Sequence, residues 1–520
     1  MRTRVSGWEP TDFAKLAALI FIAVTFRAVF FTGFFGSDEV TYTEAAYDIV
    51  TGRWPSSDYI GSLRYGVNLP VAMFMKLFGV TEVAANLWSF LTSVGEVALV
   101  FFIGRMLWDT RAGFLAGLTL AVLPLHVHFA GRMMADAPLA FFMTLSCALF
   151  LVGEAVRGRG WFFATGLAAG ASFWVKESPI VYVVIFGLYA LACRRWDPAW
   201  LWMAVGALAM LALNLMLMLA VTGDAWHVFR VNQMGIERFI GAGAKETSPW
   251  VYLRYLLLDV RHTWLLGFLA IGGAMVLVRA RQRTGELASG DVFVLVWAAG
   301  LIGVFSLLPV SFDPVTLIYK QTNYMLMFAA PLALLSGLAL SRLRSAMFVA
   351  ATAVLVLGSV VLSGLEQQAI QVFTANSKAS VAFAKTVPGM MIYATTNNVR
   401  AEIYSNLMQG KGAEPERFKE LAGLHRRGDG PTLAVIDLET INWSNQGSPV
   451  RRIDDVPGCW ALVSQLQPVG LGWGRFSVQA MFALAQAAPA TLRERALTKI
   501  APLVQPQPAF VYRIPSECMP

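Results

Sequence analysis

The stretch FTGFFGSDEVTYTEAAYDI, beginning at Phe31, places four carboxylates just past a long apolar run: Asp38, Glu39, Glu44 and Asp48. Partly hydrated carboxylates at the mouth of a membrane span are suited to taking a proton from a hydroxyl. Glu44 and Asp48 are four apart, so they share a helix face and read as the solvated side of a short helix along the membrane surface. Asp38 and Glu39 follow Gly36 and Ser37, where the chain turns, and are the stronger candidates for chemistry. On spacing alone, a general base and a hydrated helix start stay equally open.

Further ionisable residues lie within or beside the apolar runs: Arg27, Arg132, Asp136, Lys176, Glu177 and Lys320. Apart from Arg27, they fall at the same end of the runs as Asp38 and Glu39, which predicts a polar chamber at one membrane face. Each has a second reading. Asp136 follows Arg132 by four and precedes Pro138, which fits a local ion pair or a helix N-terminus. Lys176 and Glu177 fit a mutual pair or side chains that snorkel to the headgroups. His126 and His128, two apart, diverge on a helix, which favours packing over shared metal ligation.

The elements that must position these groups follow from composition. Of the 520 residues, 57% are hydrophobic and 14% charged, and the mean hydropathy is +0.57. Soluble domains carry about 25% charged residues, so this chain lacks the polar residues to cover a globular surface. It reads as a polytopic α-helical membrane protein. Taking about 20 residues per span, we place spans at 13–35, 83–107, 112–130, 137–153, 161–176, 178–193, 199–221, 262–278, 291–309, 322–340 and 346–364. The first run is too long for a signal peptide and reads as a retained span.

The net charge of +8 is spread over short clusters between the runs, so no nucleic-acid partner is expected. Arg2 and Arg4, Arg105 and Arg111, Arg157 and Arg159, Arg194 and Arg195, Arg279 to Arg283, and Arg342 with Arg344 fall on one side. That side is the cytoplasm by the positive-inside rule, which places the N-terminus inside. The other side receives 36–81, 222–261, SFDPVTLIYKQTNY and everything after Leu365. VNLPVAMFMKLFG is too short to span and suits the interface. In the last segment MMIYATTN and PTLAVIDLE read as buried strands and NVRAEIYSNLMQG as a helix, which makes a small α/β domain. The stretch from Trp460 to Ser477, with GLGWGRFSVQ, suggests further strands. The expected division is 1–364 for the membrane domain and 365–520 for the extracytoplasmic one. Cys147 and Cys193 read as inert packing residues, whereas Cys459 and Cys518 share the last segment, and their pairing is left open.

Read in order, the DE pair and its helix, the segment LP…FMKLFG, GRMLW, RMMADAPLAFFMTLSCALFL, GLAAGASFWVKESPIVYV and YKQTNYMLMFAAPLALLSGLAL resemble the polytopic GT-C glycosyltransferases. The sequence is similar to protein O-mannosyltransferases and bacterial lipid A aminoarabinose transferases. The resemblance covers most of residues 13–364. It implies a fold of about 11 to 13 transmembrane helices with an extracytoplasmic α/β domain. It implies a multi-pass enzyme of the bacterial inner membrane, in contact with membrane lipids and with its last domain periplasmic. Such an enzyme takes a sugar from a polyprenyl-phosphate donor to a hydroxyl or phosphate of a lipid, glycan or protein acceptor.

By the same resemblance Asp38 is the expected base, with Glu39 second, and Arg64, Lys320, Arg132, Lys176 and Arg261 are the outer-face cations available to the donor phosphate. Arg64 and Lys320 are favoured among these. Asp136, Glu177, Tyr65 and Tyr324 are further site candidates. No cofactor is expected. A divalent metal stays open, with His128 and Asp136 as weak ligand candidates. Many relatives carry a Pro-Pro stretch where this chain reads RYGVNLP, and an Arg-Tyr pair where it has Asn323 and Tyr324; these departures leave the sugar and acceptor open. A transporter or flippase for a polyprenyl-linked substrate would need midplane charges and two related halves, and the sequence has no internal repeat. A non-catalytic envelope scaffold would leave the outer carboxylates without a role.

Overall fold

The computed structural model describes residues 7–177, 180–241, 247–313, 315–424, 432–444, 450–469, 472–504 and 506–518. In chain order the helices begin with α1 (Pro10–Val29), α2 (Asp38–Val50), α3 (Tyr65–Phe78), α4 (Glu82–Leu107), α5 (Thr110–Val122), α6 (Pro124–Ala130) and α7 (Asp136–Val156). They continue with α8 (Arg159–Val175), α9 (Ile180–Cys193), α10 (Leu201–Thr222), α11 (His227–Gly241), α12 (Val251–Leu258), α13 (Leu266–Thr284) and α14 (Ser289–Leu307). A hairpin of β1 (Pro309–Phe312) and β2 (Val315–Leu317) precedes α15 (Met325–Ser341) and α16 (Ser345–Ala384). The rest is β3 (Met391–Ala394), α17 (Thr396–Met408), β4 (Phe418–Glu420), β5 (Thr432–Asp437), β6 (Ala461–Leu466), α18 (Gly474–Ala487), α19 (Ala490–Val504) and β7 (Ala509–Ile514).

A helix lies under every apolar run read from the sequence, but the first ends at Val29 and not near Phe35, and the run 112–130 is broken in two. Among the described residues six helices (α4, α7, α10, α14, α15 and α16) are long and apolar enough to cross a membrane. The count is seven if α5 and α6, bent by 60°, form one span. The other helices under the runs are shorter or carry charge: α1 contains Asp12, Lys15 and Arg27 within its 20 residues. The protein is a multi-pass membrane protein. Two further expectations fail in detail. Helix α16 runs on to Ala384 instead of ending near Gly364, and in the stretch 460–477 Ala461–Leu466 is the strand β6 whereas GRFSVQ is the first part of helix α18.

The chain divides into two compact units. The first comprises Met1–Val29, Gly52–Val71 and Asn86–Leu362; the second comprises Phe30–Thr51, Ala72–Ala85 and Ser363–Pro520.

In the first unit α15 is buried almost throughout. It packs closely because Gly337 faces the backbone of Ala112 and Ala116 on α5, where any side chain would collide. Helices α8 and α10 meet in the same way at Gly166 and Gly206. Small residues substitute here for the hydrophobic drive that lipid cannot supply. Helix α10 leaves Leu201, Val205, Leu208, Leu213, Met216 and Leu219 exposed, as a lipid-facing helix does. Inside the unit Arg27 is fully buried: its guanidinium donates to Ser93 Oγ (2.7 Å) and to the carbonyls of Ala23 (2.9 Å) and Ala121 (3.0 Å). It also lies 2.6 Å from His126 Nδ1, and His126 Nε2 lies 2.9 Å from Glu96, which accepts from Thr144 as well. The break before Pro124 frees carbonyls of α5, and Arg27 satisfies one of them.

The second unit is built on a five-stranded sheet in the order β4-β3-β5-β7-β6. Strands β4, β3 and β5 are parallel, and β7 runs antiparallel to both β5 and β6. All six residues of β5 are buried, as a strand covered on both faces requires. Ile392, Leu433, Val435 and Val511 pack on one side with Ala379 and Val399 from α16 and α17. Tyr393, Ala434, Ile436 and Ile514 pack on the other side with Trp460 and Leu421. Cys459 and Cys518 form a disulfide.

Candidate active site

The acidic loop belongs to the second unit. Helix α2 does not present a bare solvated face with lipid beneath it: Val40, Tyr42, Ala45 and Ala46 are buried, and α2 packs on α17. Tyr47 donates to the carbonyl of Gly410 at 2.8 Å, and the Phe34 and Tyr404 rings pack in a tilted pair with centroids 5.2 Å apart. Glu44 and Asp48 do lie on the half-exposed side.

The entry to α2 turns at Gly36, whose φ of +92° is a left-handed conformation that a side chain disfavours. Glu39, 1% exposed, folds back over this turn, and its Oε1 accepts the backbone N–H groups of Phe35 (2.7 Å), Gly36 (2.5 Å) and Ser37 (3.1 Å). Asp38 is the first residue of α2 and is half-buried. Two adjacent residues thus have different environments: one carboxylate closes the turn, and the other is displayed by it.

The turn is gripped from α17. Asn397 donates to the carbonyl of Phe35 at 2.9 Å and Arg400 to that of Gly36 at 2.9 Å. Asn397 is itself held by Ser377 (2.7 Å). Behind it, at the end of β5, the fully buried Asp437 accepts from Thr440 (2.7 Å), Asn376 (2.9 Å) and Asn398 (3.2 Å). Burial pushes the Asp437 carboxyl above the ordinary carboxylate range, and those hydrogen bonds work in the opposite direction. Sequence reasoning missed Asn397 and Arg400. They lie a few residues past the strand MIYA, at the carboxyl end of a parallel strand where α/β sheets hold ligands and loops.

Two of the candidate cations, Arg64 and Lys176, line a cavity of about 330 Å³ in the first unit. Arg64, Lys176, Glu177, Gln321 and Tyr324 supply much of its polar lining, together with Asn232, Thr316 and Tyr319, and Phe305, Leu308, Val310, Leu317 and Ile236 much of the apolar part. Lys176 follows the last residue of α8 in extended conformation (φ −160°, ψ 139°), so its side chain and that of Glu177 point to opposite sides. They therefore do not pair with each other. Lys176 meets Asp136 at 2.8 Å, and Glu177 meets Arg64 at 2.9 Å. Asp136 opens α7 and also accepts from Asn323 at 3.1 Å; its ion-pair partner is Lys176 rather than Arg132. The Lys176 ammonium stands 4.8 Å from the centre of the Tyr324 ring. Both ion pairs are largely buried, with side chains 3–13% exposed.

The remaining candidates do not line this cavity. Lys320 is buried and donates to the carbonyl of Ile318 at 2.8 Å, although its neighbours Tyr319 and Gln321 do line it. Arg132 is buried 3.3 Å from His128 and over the Phe129 ring. Arg261 is half-buried on a single turn capped by Asp259. Tyr65 is buried, donates to the carbonyl of Pro55 at 2.6 Å, and has its pKa pushed up by burial to about 12, so the phenol is neutral. Among the described residues no three His, Cys, Asp or Glu side chains gather as a metal ion requires. His128 faces a guanidinium and Asp136 an ammonium, so this pair does not suit a cation.

Residues 66–220 match the family profile described as dolichyl-phosphate-mannose-protein mannosyltransferase. Among solved structures the chain is similar to ArnT from Cupriavidus metallidurans in the apo state (18% identity, TM-score 0.57, covering 87% of this chain and 95% of that one). It is similar to the same protein bound to undecaprenyl phosphate (18% identity, TM-score 0.53, 83% and 93%). The Archaeoglobus fulgidus oligosaccharyltransferase in the apo form also matches (12% identity, TM-score 0.53, 97% and 88%). No curated protein matches the sequence. The helical array with its α/β unit is the GT-C fold, as the resemblance implied, and the matched family is one of glycosyltransferases.

Proposed function

We propose that this chain is an integral-membrane glycosyltransferase that moves a sugar from a polyprenyl-phosphate donor to a hydroxyl acceptor on the extracytoplasmic side. The observation that carries this reading is the cavity in which Arg64 and Lys176 stand beside an apolar wall of Ile236, Phe305, Leu308, Val310 and Leu317, which fits a ligand that is lipid at one end and phosphate at the other. The family match over residues 66–220 and the undecaprenyl phosphate in the bound ArnT structure support the same ligand class. Arg64 and Lys176 are assigned to the phosphate ahead of Lys320 because they line the cavity, whereas Lys320 is buried against the carbonyl of Ile318.

In the proposed reaction the acceptor oxygen attacks the anomeric carbon and the bond from that carbon to the phosphate oxygen breaks. The phosphate leaves with the electron pair, stabilised by the guanidinium and ammonium groups, and needs no proton. Asp38 receives the hydroxyl proton. One displacement inverts the anomeric centre. Glu39 holds the turn that presents Asp38, because its own carboxylate is engaged by three backbone N–H groups. The N-terminus is assigned to the cytoplasm and the sheet-bearing unit to the periplasm by the distribution of Arg and Lys.

The test is mass spectrometry of envelope lipids, glycans and proteins after deletion of the gene, with complementation by the wild type and by Asp38→Asn. One glycosylated species should disappear, return with the wild type and stay absent with the variant. If no glycosylated species changes, the assignment is wrong.

A further inference from the structure

We infer that the hairpin formed by α18 and α19 is a lipid-binding element, lodged in the headgroup layer and selective for anionic lipid.

Its position follows from α16. Residues 346–365 of that helix carry no charge, and at 1.5 Å per residue they span about 30 Å, the hydrocarbon thickness; Glu366 marks the water boundary. The hairpin is fastened at this boundary. Gly472 N–H donates to Gln371 Oε1 at 2.6 Å, and Gly474 N–H donates to Gln367 Oε1 at 3.0 Å. Gly474 and Gly364 are in such close approach that a side chain on Gly474 would collide with the carbonyl of Gly364, and one on Gly364 with Ser477. The contacts thus run 472 to 371, 474 to 367 and 477 to 364. As α18 starts it descends about 10 Å along α16, toward the apolar run. Gln368 donates to the carbonyl of Leu503 at 3.0 Å, which returns the end of α19 to the same level.

Between these anchors the chain from Phe476 to Leu492 has no charged residue. Few of its side chains are buried, and Phe476 (52%), Leu484 (72%) and Leu492 (60%) are exposed, with Trp473 (70%) at the base. Exposed apolar surface of this kind marks an interaction face. Arg475, Arg493, Arg495 and Lys499 stand against the single acid Glu494 in 474–504, a net charge of +3 (four basic residues minus one acidic). All four basic side chains are exposed, and the Arg475 guanidinium lies 5.1 Å from the Phe476 ring centre. An uncharged tip, an interfacial Trp and a basic rim are what an amphipathic element at an anionic membrane surface presents. A partner protein would also cover apolar surface. The start of the hairpin at the water boundary of a membrane span, and its descent from there, favour lipid.

The experiment uses the full chain with Cys147→Ala and Cys193→Ala, keeping the Cys459–Cys518 disulfide. The fluorophore NBD is attached through Leu484→Cys or, as a control on the exposed edge strand, Lys419→Cys. The protein is placed in nanodiscs of POPC, or of POPC mixed with POPG, with doxyl-labelled lipid. The label at 484 should be quenched several-fold more strongly by doxyl lipid than the label at 419, and protected from aqueous iodide. Iodide quenching without doxyl quenching at 484 would put the hairpin in water and overturn the inference. Protection from both quenchers would mean that protein, such as a second copy, covers the face, and would overturn it equally. Retained lipid should be enriched in POPG over POPC, and Arg493→Gln, Arg495→Gln and Lys499→Gln together should remove that enrichment. An unchanged ratio would refute the anionic preference.

Discussion

Replacing Glu39 by glutamine separates the two neighbouring carboxylates by function. In the wild type one oxygen of Glu39 accepts three backbone N–H groups, from Phe35, Gly36 and Ser37. Glutamine keeps a carbonyl oxygen in reach and loses the charge. A hydrogen bond to an ionised group contributes about 1.5–3 kcal/mol and a neutral one about 0.5–1.5, so each bond loses roughly 1 kcal/mol. Phe35 and Ser37 are half-buried and water screens their share, whereas Gly36 is buried. The expected destabilisation is therefore about 2 kcal/mol, not the roughly 3 of a simple sum. Thermal unfolding of the purified full chain in nanodiscs reads the stability, and mass spectrometry of the glycosylated envelope species reads turnover. Glu39→Gln should lower Tm and keep product formation. Asp38→Asn, at a half-exposed position, should change stability by less than about 0.5 kcal/mol and abolish product. If Glu39→Gln abolishes product at unchanged Tm, Glu39 is itself the base and the division of roles fails.

Arg64→Ala should weaken undecaprenyl phosphate binding by roughly 10- to 100-fold, the value of one charge-assisted contact, whereas Glu177→Gln should strengthen it by releasing the cation from its carboxylate. Native mass spectrometry with added lipid checks both directions, and weaker binding by Glu177→Gln would contradict the cavity assignment. The raised pKa of Asp437 gives a pH signature. Its contribution to stability is complete below the unfolded value, about 4, and is lost as pH rises through the folded value. The Tm difference between the wild type and Asp437→Asn should therefore shift against the wild type from about pH 4 upward. A difference that stays flat with pH would show that the buried carboxyl does not titrate.

Much of the membrane part was legible because span length and hydropathy leave little choice: each apolar run became a helix. Fine geometry was not legible where one backbone angle decides it. Lys176 and Glu177 are neighbours in sequence, yet the extended residue that ends α8 sends them to Asp136 and Arg64 on other elements. GLGWGRFSVQ looked like strand because glycines usually punctuate helices. Here Gly474 is helical and serves close contact with α16, a tertiary reason that no local pattern carries. The short apolar runs of MIYA and TLAVID were readable as buried strands, but the reach of Asn397 and Arg400 to the Gly36 turn joins residues more than 360 apart in the chain. Only the fold brings them together.

The buried arginine of α1 bears on how the chain is made. Arg27 sits in the last turn of α1, where a charge opposes insertion by less than the roughly 2.5–3.5 kcal/mol that translocon scales assign to a helix centre. Apart from the Ala23 carbonyl on α1 itself, the partners that satisfy Arg27 (Ser93 on α4, the Ala121 carbonyl and His126) are synthesised dozens of residues later. The first helix therefore enters the bilayer with its charge unmatched and becomes a comfortable span only when α4 to α6 arrive beside it. Biogenesis of this protein is cooperative from its first helix, and hydropathy measured one segment at a time understates α1.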